Sequence, residues 1–491
     1  MTAAADKLGV LAPDSEWIRL EDAAALVGRL RRRRTPRTAL FLSGLHAWDG
    51  ERANGLALFV VLSLAVFLGA KAEFRSPTSS TVLYLYGVGV TSIVLAQMAV
   101  AFWRYRDYAA GAEVLSLLDP PLVSCIVAVH NEEEIIEECV RSLTAQTYAK
   151  VEVIIVDDCS TDRTPTLLAE LGPRYGVTVI PLAENVGKKR ALGVGILRAA
   201  GEILAFTDSD SVWAPDALER VVGVLRSRPE VGAVSGHCRA LNATENLLTR
   251  IQDSWYEGQF SVRKAFESAF GAVTCVSGPL AAFRREAIFN YIPAWAEDAF
   301  LGNEFRFATD RMLTGFVLCG KHVGAEMKAK HAGSPFLEPD YAERNWEIVY
   351  SRSAKAWTVV PNSLRRLLLQ QIRWKKSFIR NTFFTGRFYW RRPLVPALAY
   401  YLHVLFVACG PIVAFRHLVY VPLRGNPNSA LLYLVGIVVV GSMFGIAHWR
   451  AEPEARHWML RPLMSLLSTL VLSWLLFYSL LTIRQMRWAR D

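Results

Sequence analysis

Five stretches of this chain contain no Asp, Glu, Lys or Arg: residues 53–70, 82–103, 393–415, 430–447 and 462–483. A helix needs ~20 residues to cross the ~30 Å hydrocarbon layer of a bilayer, and these stretches match that length. They constrain the fold more than any other feature, because hydrocarbon admits only chain that satisfies its own backbone polar groups. The first stretch begins too far from the start, behind a charged segment, to be a secretory signal. Over 491 residues, a mean hydropathy of +0.23 with 52% hydrophobic and 20% charged residues excludes an ordinary soluble domain. It also excludes a disordered tail and a small disulfide-stapled module. The chain therefore reads as a membrane protein with two spans before its middle region and three or more after it.

Basic residues orient these spans. Arg29, Arg31, Arg32, Arg33, Arg34 and Arg37 precede the first one, which predicts a cytoplasmic N-terminus. No aromatic interleaving or base-reading motif accompanies the cluster, so nucleic acid is not an expected partner. Two spans return the chain to the cytoplasm near Arg104, leaving everything to Arg392 in the cytosol. Three further spans would leave Arg484, Arg487 and Arg490 outside, against the positive-inside tendency, unless a sixth segment near residues 417–423 lies in the interface or re-enters. The seven cysteines, Cys125, Cys139, Cys159, Cys238, Cys275, Cys319 and Cys409, show neither a CxxC pair nor metal-ligand spacing and read as reduced core residues.

The middle region alternates apolar runs with helical patterns. Residues 123–129 read as a buried strand ending at His130-Asn131-Glu132-Glu133, followed by a helix over about 134–144. A second strand over 151–156 stops at Asp157-Asp158-Cys159-Ser160-Thr161-Asp162, which is turn and N-cap chemistry. A helix to Leu171, a strand over 177–181, a helix over 189–200 and a strand over 203–207 follow. This alternation implies an α/β domain with a parallel sheet and right-handed crossovers, whose ligands sit beyond the carboxyl ends of the strands.

Two acidic clusters, Asp157-Asp158 and Asp208-Ser209-Asp210, stand at such strand ends. Asp162 reads as a helix cap. Asp208 and Asp210 present two hard carboxylates one residue apart, a set suited to Mg²⁺ or Mn²⁺ held together with substrate phosphates. Between the clusters, Gly187-Lys188-Lys189-Arg190 opens a helix, either as donors toward a phosphate or uracil or as a solvated helix start.

Here the chain resembles the processive, membrane-integrated family 2 glycosyltransferases of the hyaluronan, chitin and cellulose synthase group. The resemblance is carried by Val129-His130-Asn131-Glu132, Val156-Asp157-Asp158-Cys159-Ser160 and Asp208-Ser209-Asp210. It continues through Ser277-Gly278-Pro279-Leu280, Thr309-Asp310-Arg311 and Gln370-Gln371-Ile372-Arg373-Trp374. The last, a QxxRW element, discriminates best, since single-sugar transferases of the same fold lack it. Hyaluronan synthases read Gly-Asp-Asp-Arg where this chain has Ala308-Thr309-Asp310-Arg311, closer to the Thr-Glu-Asp of cellulose synthases. Residues 331–348 look like an insertion.

The resemblance implies a GT-A-type nucleotide-sugar-binding domain with a mainly parallel sheet, inserted between N- and C-terminal transmembrane helices. The expected division is a basic cytoplasmic segment over 1–52, two spans over 53–103, the catalytic domain over 104–361, amphipathic interface helices over 362–392 and a polymer channel over 393–491. Implied also is inverting transfer from a UDP-sugar, with Mg²⁺ or Mn²⁺ on Asp208 and Asp210 and Asp310 as general base. Asp310 could instead form a structural pair with Arg311. Asp157, Asp158, Lys188, Asp208 and Arg373 would hold the donor, and Gln370, Trp374, Ser277 and Gly278 the acceptor. The expected partners are the donor, a growing polysaccharide and the lipid bilayer, with the protein multi-pass in the cell membrane. Tyr400, Tyr401, Trp474 and Tyr478 would line the channel or sit at the lipid interface. A non-processive transferase acting on a lipid carrier, and a non-catalytic scaffold, are the alternatives.

Overall fold

The computed structural model describes residues 81–109, 119–451 and 457–486. The stretch 53–70, the arginine cluster before it, and Arg487 and Arg490 lie outside these residues. Helix α1 (Thr81–Trp103) covers the second apolar stretch.

The sheet grows from near-continuous apolar runs. Strands β1 (Val123–Val129), β2 (Val151–Asp157), β3 (Thr178–Pro181) and β4 (Ile203–Asp208) lie in the order β3-β2-β1-β4, all parallel. Every residue of β1 is buried, as expected of a strand covered on both faces. Helices α2 (Ile136–Thr144), α3 (Thr164–Tyr175) and α4 (Lys188–Arg198) are the crossovers. In α4 a Cβ on Gly195 would stand 2.5 Å from Cγ2 of Ile126 and 3.2 Å from Cγ2 of Val156, so glycine is what lets this helix lie directly on β1 and β2.

The second half of the sheet brings in the antiparallel strands that make it mainly, rather than wholly, parallel. The order continues β4-β7-β6-β10-β5, with β5 (Ser211–Trp213), β6 (Val231–Ala240), β7 (Ala281–Arg284) and, beyond a two-residue hairpin pair β8 (Ala299–Phe300) and β9 (Asn303–Glu304), β10 (Glu347–Thr358). Strand β7 runs antiparallel to both β4 and β6, and β5 runs antiparallel to β10. The sheet is thus mainly parallel with two reversed strands. Helices α5 (Ala217–Ser227) and α6 (Leu247–Gly258) follow β5 and β6, and Asn246 and Thr249 close a capping box at the start of α6. The segment taken as an insertion ends in β10, which pairs with β6 from Glu347 onward. Its middle is tied down by Asn290, which donates to the carbonyls of Phe336 and Pro339.

Helix α7 (Thr309–Cys319) precedes β10, and helix α8 (Leu364–Thr385) follows it, then α9 (Leu394–Phe415) and α10 (Asn428–Ala451). A π-turn carries α9 on without a break, giving a helix over Leu394–Leu423. Residues 417–423 therefore extend a helix and are not a separate interfacial segment. Among the described residues, Leu394–Leu423 and Asn428–Arg450 are long and apolar enough to cross a membrane. The last apolar stretch is broken: Trp458–Leu470 and Leu472–Leu481 meet at a 40° bend.

Helix α8, expected as an amphipathic interface helix, is buried along one side and open along another: Gln371, Lys376, Ser377 and Asn381 are buried, Leu364, Arg365, Arg366 and Phe383 are exposed, and Nζ of Lys376 donates to the carbonyl of Gln485 at 2.8 Å. Nor do Tyr400 and Tyr401 stand open as channel lining. Tyr400 is buried with its ring 4.5 Å from that of Tyr389, and Tyr401 donates to the carbonyl of Gly386. Both fasten α9 to the turn after α8.

Candidate active site

Strand register brings the acidic clusters together. Val129 of β1 is opposite Asp157 of β2, and Ala128 is opposite Asp208 of β4. Because β7 runs antiparallel to β4, with Ala281 opposite Phe206, the residues just before β7 return to the same edge. Those residues are Ser277 and Gly278. Thr358, at the end of β10, is opposite Ser211 of β5 and donates to Oδ1 of Asp210 at 3.1 Å.

At this edge Asp208 has two close neighbours. Nζ of Lys188 pairs with its Oδ1, and a Cβ on Gly278 would lie 2.7 Å from its Oδ2. Ser209 turns away and donates to Oε1 of Glu132 at 3.1 Å, which joins the His130-Asn131-Glu132 turn to the aspartate pair. Among the described residues no group of three His, Cys, Asp or Glu side chains forms a closed metal cage. Asp208, paired with the Lys188 ammonium, and Asp210, which accepts from the hydroxyls of Ser211 and Thr358, fit a divalent ion that takes its other oxygens from a diphosphate.

Asp157 and Asp158, expected on the donor side, are each engaged in the loops that follow their strands. Oδ1 of Asp157 accepts from the amide and hydroxyl of Ser160, at 3.0 and 2.6 Å. Oδ1 and Oδ2 of Asp158 accept from the amides of Val186 and Gly187, at 2.7 and 3.0 Å. Burial raises the Asp158 carboxyl above its ordinary value, while those amides and the neighbouring His130 and Arg306 pull the other way. Asp158 thus fixes the loop that delivers Lys188 to Asp208. Of the other basic residues there, Lys189 is buried against Asp298 and Arg190 pairs with Glu304, so neither points at a ligand. Asp162 is the cap that its position suggested: it accepts from the amides of Thr164 and Glu133.

Asp310 stands in the first turn of α7, after Ala308 at φ +62°, a left-handed conformation that is costly for alanine. Its Oδ1 accepts from the amide of Arg311 at 2.8 Å and its Oδ2 from the thiol of Cys275 at 3.2 Å. Burial and the nearby Asp310 push that thiol up to about 12, so it stays protonated and donates. Two residues further on, Oγ of Ser277 accepts from Nζ of Lys264 at 2.5 Å, and Lys264 also holds Oγ of Ser235. Burial lowers Lys264 to about 8. The four residues Cys275–Gly278 therefore touch Asp310 at one end and Asp208 at the other. Three trans peptide steps of 3.8 Å limit the Cα separation of those ends to about 11 Å.

Trp374 lies on α8 with its ring 5.7 Å from Trp255, nearly parallel at 29°, and 6.4 Å from Tyr256. Tyr256 is half-buried, and its hydroxyl is raised above its ordinary value by burial first and then by the charges of Cys238, Asp210 and Asp208. Gln370, one turn before Trp374, is half-buried, as is Arg373. Sequence reasoning missed Lys264, Cys275, Trp255 and Tyr256. The density of aromatic and acidic residues in 253–260 was a usable signal, whereas nothing local marks Lys264.

Residues 124–291 match the family described as Glycosyl transferase family 2. The chain is 31% identical over 381 residues to an N-acetylglucosaminyltransferase of Rhizobium leguminosarum bv. viciae, covering 75% of this chain and 81% of that one. The chain is a family 2 glycosyltransferase. A hyaluronan synthase of Streptococcus pyogenes serotype M3 is 29% identical over 413 residues, covering 82% of this transferase and 90% of the synthase. Among solved structures, a mannosyltransferase of Pyrobaculum calidifontis in complex with GDP-Man and Mn²⁺ covers 79% of this chain at 22% identity and a TM-score of 0.47. The fold is the GT-A-like α/β domain with a mostly parallel sheet, carrying two apolar helices toward the C-terminus. Those helices and the hyaluronan synthase relatives mark the transferase as a membrane protein.

Gly278, expected on the acceptor side, lies against the Asp208 carboxylate. Gly278→Ala should displace that carboxylate, and a misplacement of ~1 Å at a reacting centre costs on the order of 10²-fold in turnover. Measured turnover across an Mn²⁺ titration should fall by that order and half-saturate at higher metal; parental kinetics would show that Asp208 does not sit in the reacting centre.

Proposed function

We propose that this transferase is a processive, inverting synthase that polymerises a UDP-sugar into an extracellular polysaccharide of hyaluronan, chitin or glucan type. The observation that carries the reading is the Cys275–Gly278 segment, with the Asp310 base at one end and the Asp208-Ser209-Asp210 edge at the other. A donor diphosphate at Asp208 and an acceptor hydroxyl at Asp310 would meet across that segment. The names of the two relatives, a hyaluronan synthase and an N-acetylglucosaminyltransferase, support a polysaccharide product.

In this mechanism Asp310 takes the proton of the acceptor hydroxyl as it attacks the anomeric carbon. The Cys275 thiol and Arg311 amide aim its two oxygens. Asp208 and Asp210 would hold Mg²⁺ or Mn²⁺, which when bound neutralises charge developing on the departing diphosphate. Lys188, already on Asp208, adds a mobile positive charge at the same place. Asp157 and Asp158 frame the nucleoside side, and Arg373 approaches the diphosphate. Trp374, backed by Trp255, forms the acceptor platform beside Gln370. The catalytic domain faces the cytoplasm, and the multi-pass helices, together with the lipid bilayer that holds them, provide the exit for the growing chain.

The direct test is purified protein in detergent with a panel of labelled UDP-sugars and Mg²⁺ or Mn²⁺, followed by product sizing. Long polymer is expected; short, lipid-extractable product would replace this reading with transfer to a lipid carrier. Asp310→Asn should leave UDP-sugar affinity within about twofold while transfer falls by at least ~10²-fold, since the base acts only during attack. Calorimetry beside a transfer assay checks this, and equal loss of both would make Asp310 a donor-binding or structural residue. Trp374→Ala should shorten the polymer more than it slows UDP release, because stacking worth about 1 kcal/mol serves mainly to aim the acceptor. Parental polymer length would make Trp374 an anchor.

A further inference from the structure

Asp298 belongs to none of the motifs above, yet its carboxylate is among the most enclosed in the domain, with its side chain 2% exposed. It sits between two cations. Nζ of Lys189 lies 3.0 Å from Oδ2, and Arg380 grips Oδ1 through Nη2 at 2.6 Å and Nε at 3.2 Å. Lys189 is 4% exposed and Arg380 13%. The β8–β9 hairpin closes over the ammonium: the carbonyl of Phe305 accepts from Lys189 at 2.9 Å, and the amide of Phe305 donates to the carbonyl of Asp298 at 2.7 Å. Aromatic faces complete the enclosure, with the Arg380 guanidinium 5.3 Å from the centre of Phe300 and 5.8 Å from that of Phe384.

An ion set this deeply buried is costly to assemble, and apolar side chains would join the same elements at lower electrostatic cost. What the charges add is direction, because a guanidinium fork and a buried ammonium accept one geometry each. The three elements they join are informative. Lys189 follows Lys188, which pairs with Asp208. Arg380 lies seven residues after Arg373 on α8, two helical turns along the same face. The hairpin runs on into the turn that bears Asp310, which Trp295 also fastens by donating to the carbonyl of Thr309 at 2.8 Å.

We propose that Asp298 is a positioning residue: through Lys189 and Arg380 it holds the donor-side helix start, the base-bearing turn and the acceptor-side helix at one spacing. This rests on the transferase reading of the site. Its function would be coupling. Transfer requires an acceptor hydroxyl held in line with the donor, whereas hydrolysis requires only water, so loosening the clamp should uncouple the two.

The test uses the full-length protein in detergent with UDP-sugar and Mn²⁺, comparing sugar incorporated with UDP released and measuring UDP affinity separately. Arg380→Lys keeps the charge and removes the fork, Asp298→Asn removes the carboxylate, and Asp298→Glu restores it at a longer reach. In Arg380→Lys and Asp298→Asn the incorporation-to-release ratio should fall about tenfold, with UDP affinity within about twofold of the parent and partial recovery in Asp298→Glu. A ratio within about twofold of the parent in folded Arg380→Lys overturns the proposal, whether or not Asp298→Asn folds. So does a fall in UDP affinity that matches the fall in incorporation. Failure of the parent to transfer from any UDP-sugar would instead overturn the transferase reading beneath it.

Discussion

The main-chain pairing of β1 with β2 on one side and β4 on the other is what every functional distance in this protein depends on. Parallel ladders put successive strand ends on one edge, and here the register sets Val129 beside Asp157 and Ala128 beside Asp208. All three strands are buried on both faces, so a slip of one residue would bury the wrong side chains throughout. The glycine that lets α4 lie on β1 and β2 serves the same end, because α4 begins with Lys188. Reversal of β7 adds the last part: it returns the chain to that edge carrying Cys275, Ser277 and Gly278.

The chemistry is then a matter of short connections between charges. Asp158 holds the loop that presents Lys188; Lys188 meets Asp208; Gly278 leaves room for the carboxylate; Cys275 meets Asp310. Lys264, buried beneath Ser277 and lowered to about 8, places a titratable positive charge under the same segment. Its folded value lies below that of an exposed lysine, so the unfolded chain binds its proton more tightly over roughly pH 8 to 10.5. Stability from this group therefore grows as pH rises through that window.

The first half of the sheet was legible because its strands are uninterrupted apolar runs that end in acidic turns, a pattern readable one segment at a time. The helix cap at Asp162 was readable for the same local reason. Strands β6, β7 and β10 were not, since their pairings join segments distant in sequence, Ser235 with Ala281 and Thr358 with Ala240, and β7 is only four residues long. The burial of Lys189 and of Lys376 was not readable locally: a basic residue looks solvated until its partner, here Asp298 or the carbonyl of Gln485, is brought in by tertiary structure. That Gly278 lies against Asp208 was not readable either, because it follows from the antiparallel return of β7.

The proposed mechanism, with Asp310 as a single base facing the donor across a four-residue segment, implies one stereochemical outcome. The measurement that tests this most directly is proton NMR of the glycosidic linkage formed from an α-linked UDP-sugar, taken on the earliest isolable product. The account predicts β-linked product, the configuration left by one in-line displacement with Asp310 as base. An α-linked product would require two displacements or a front-face route, and would contradict the assignment of Asp310 and Asp208 to opposite ends of one reaction.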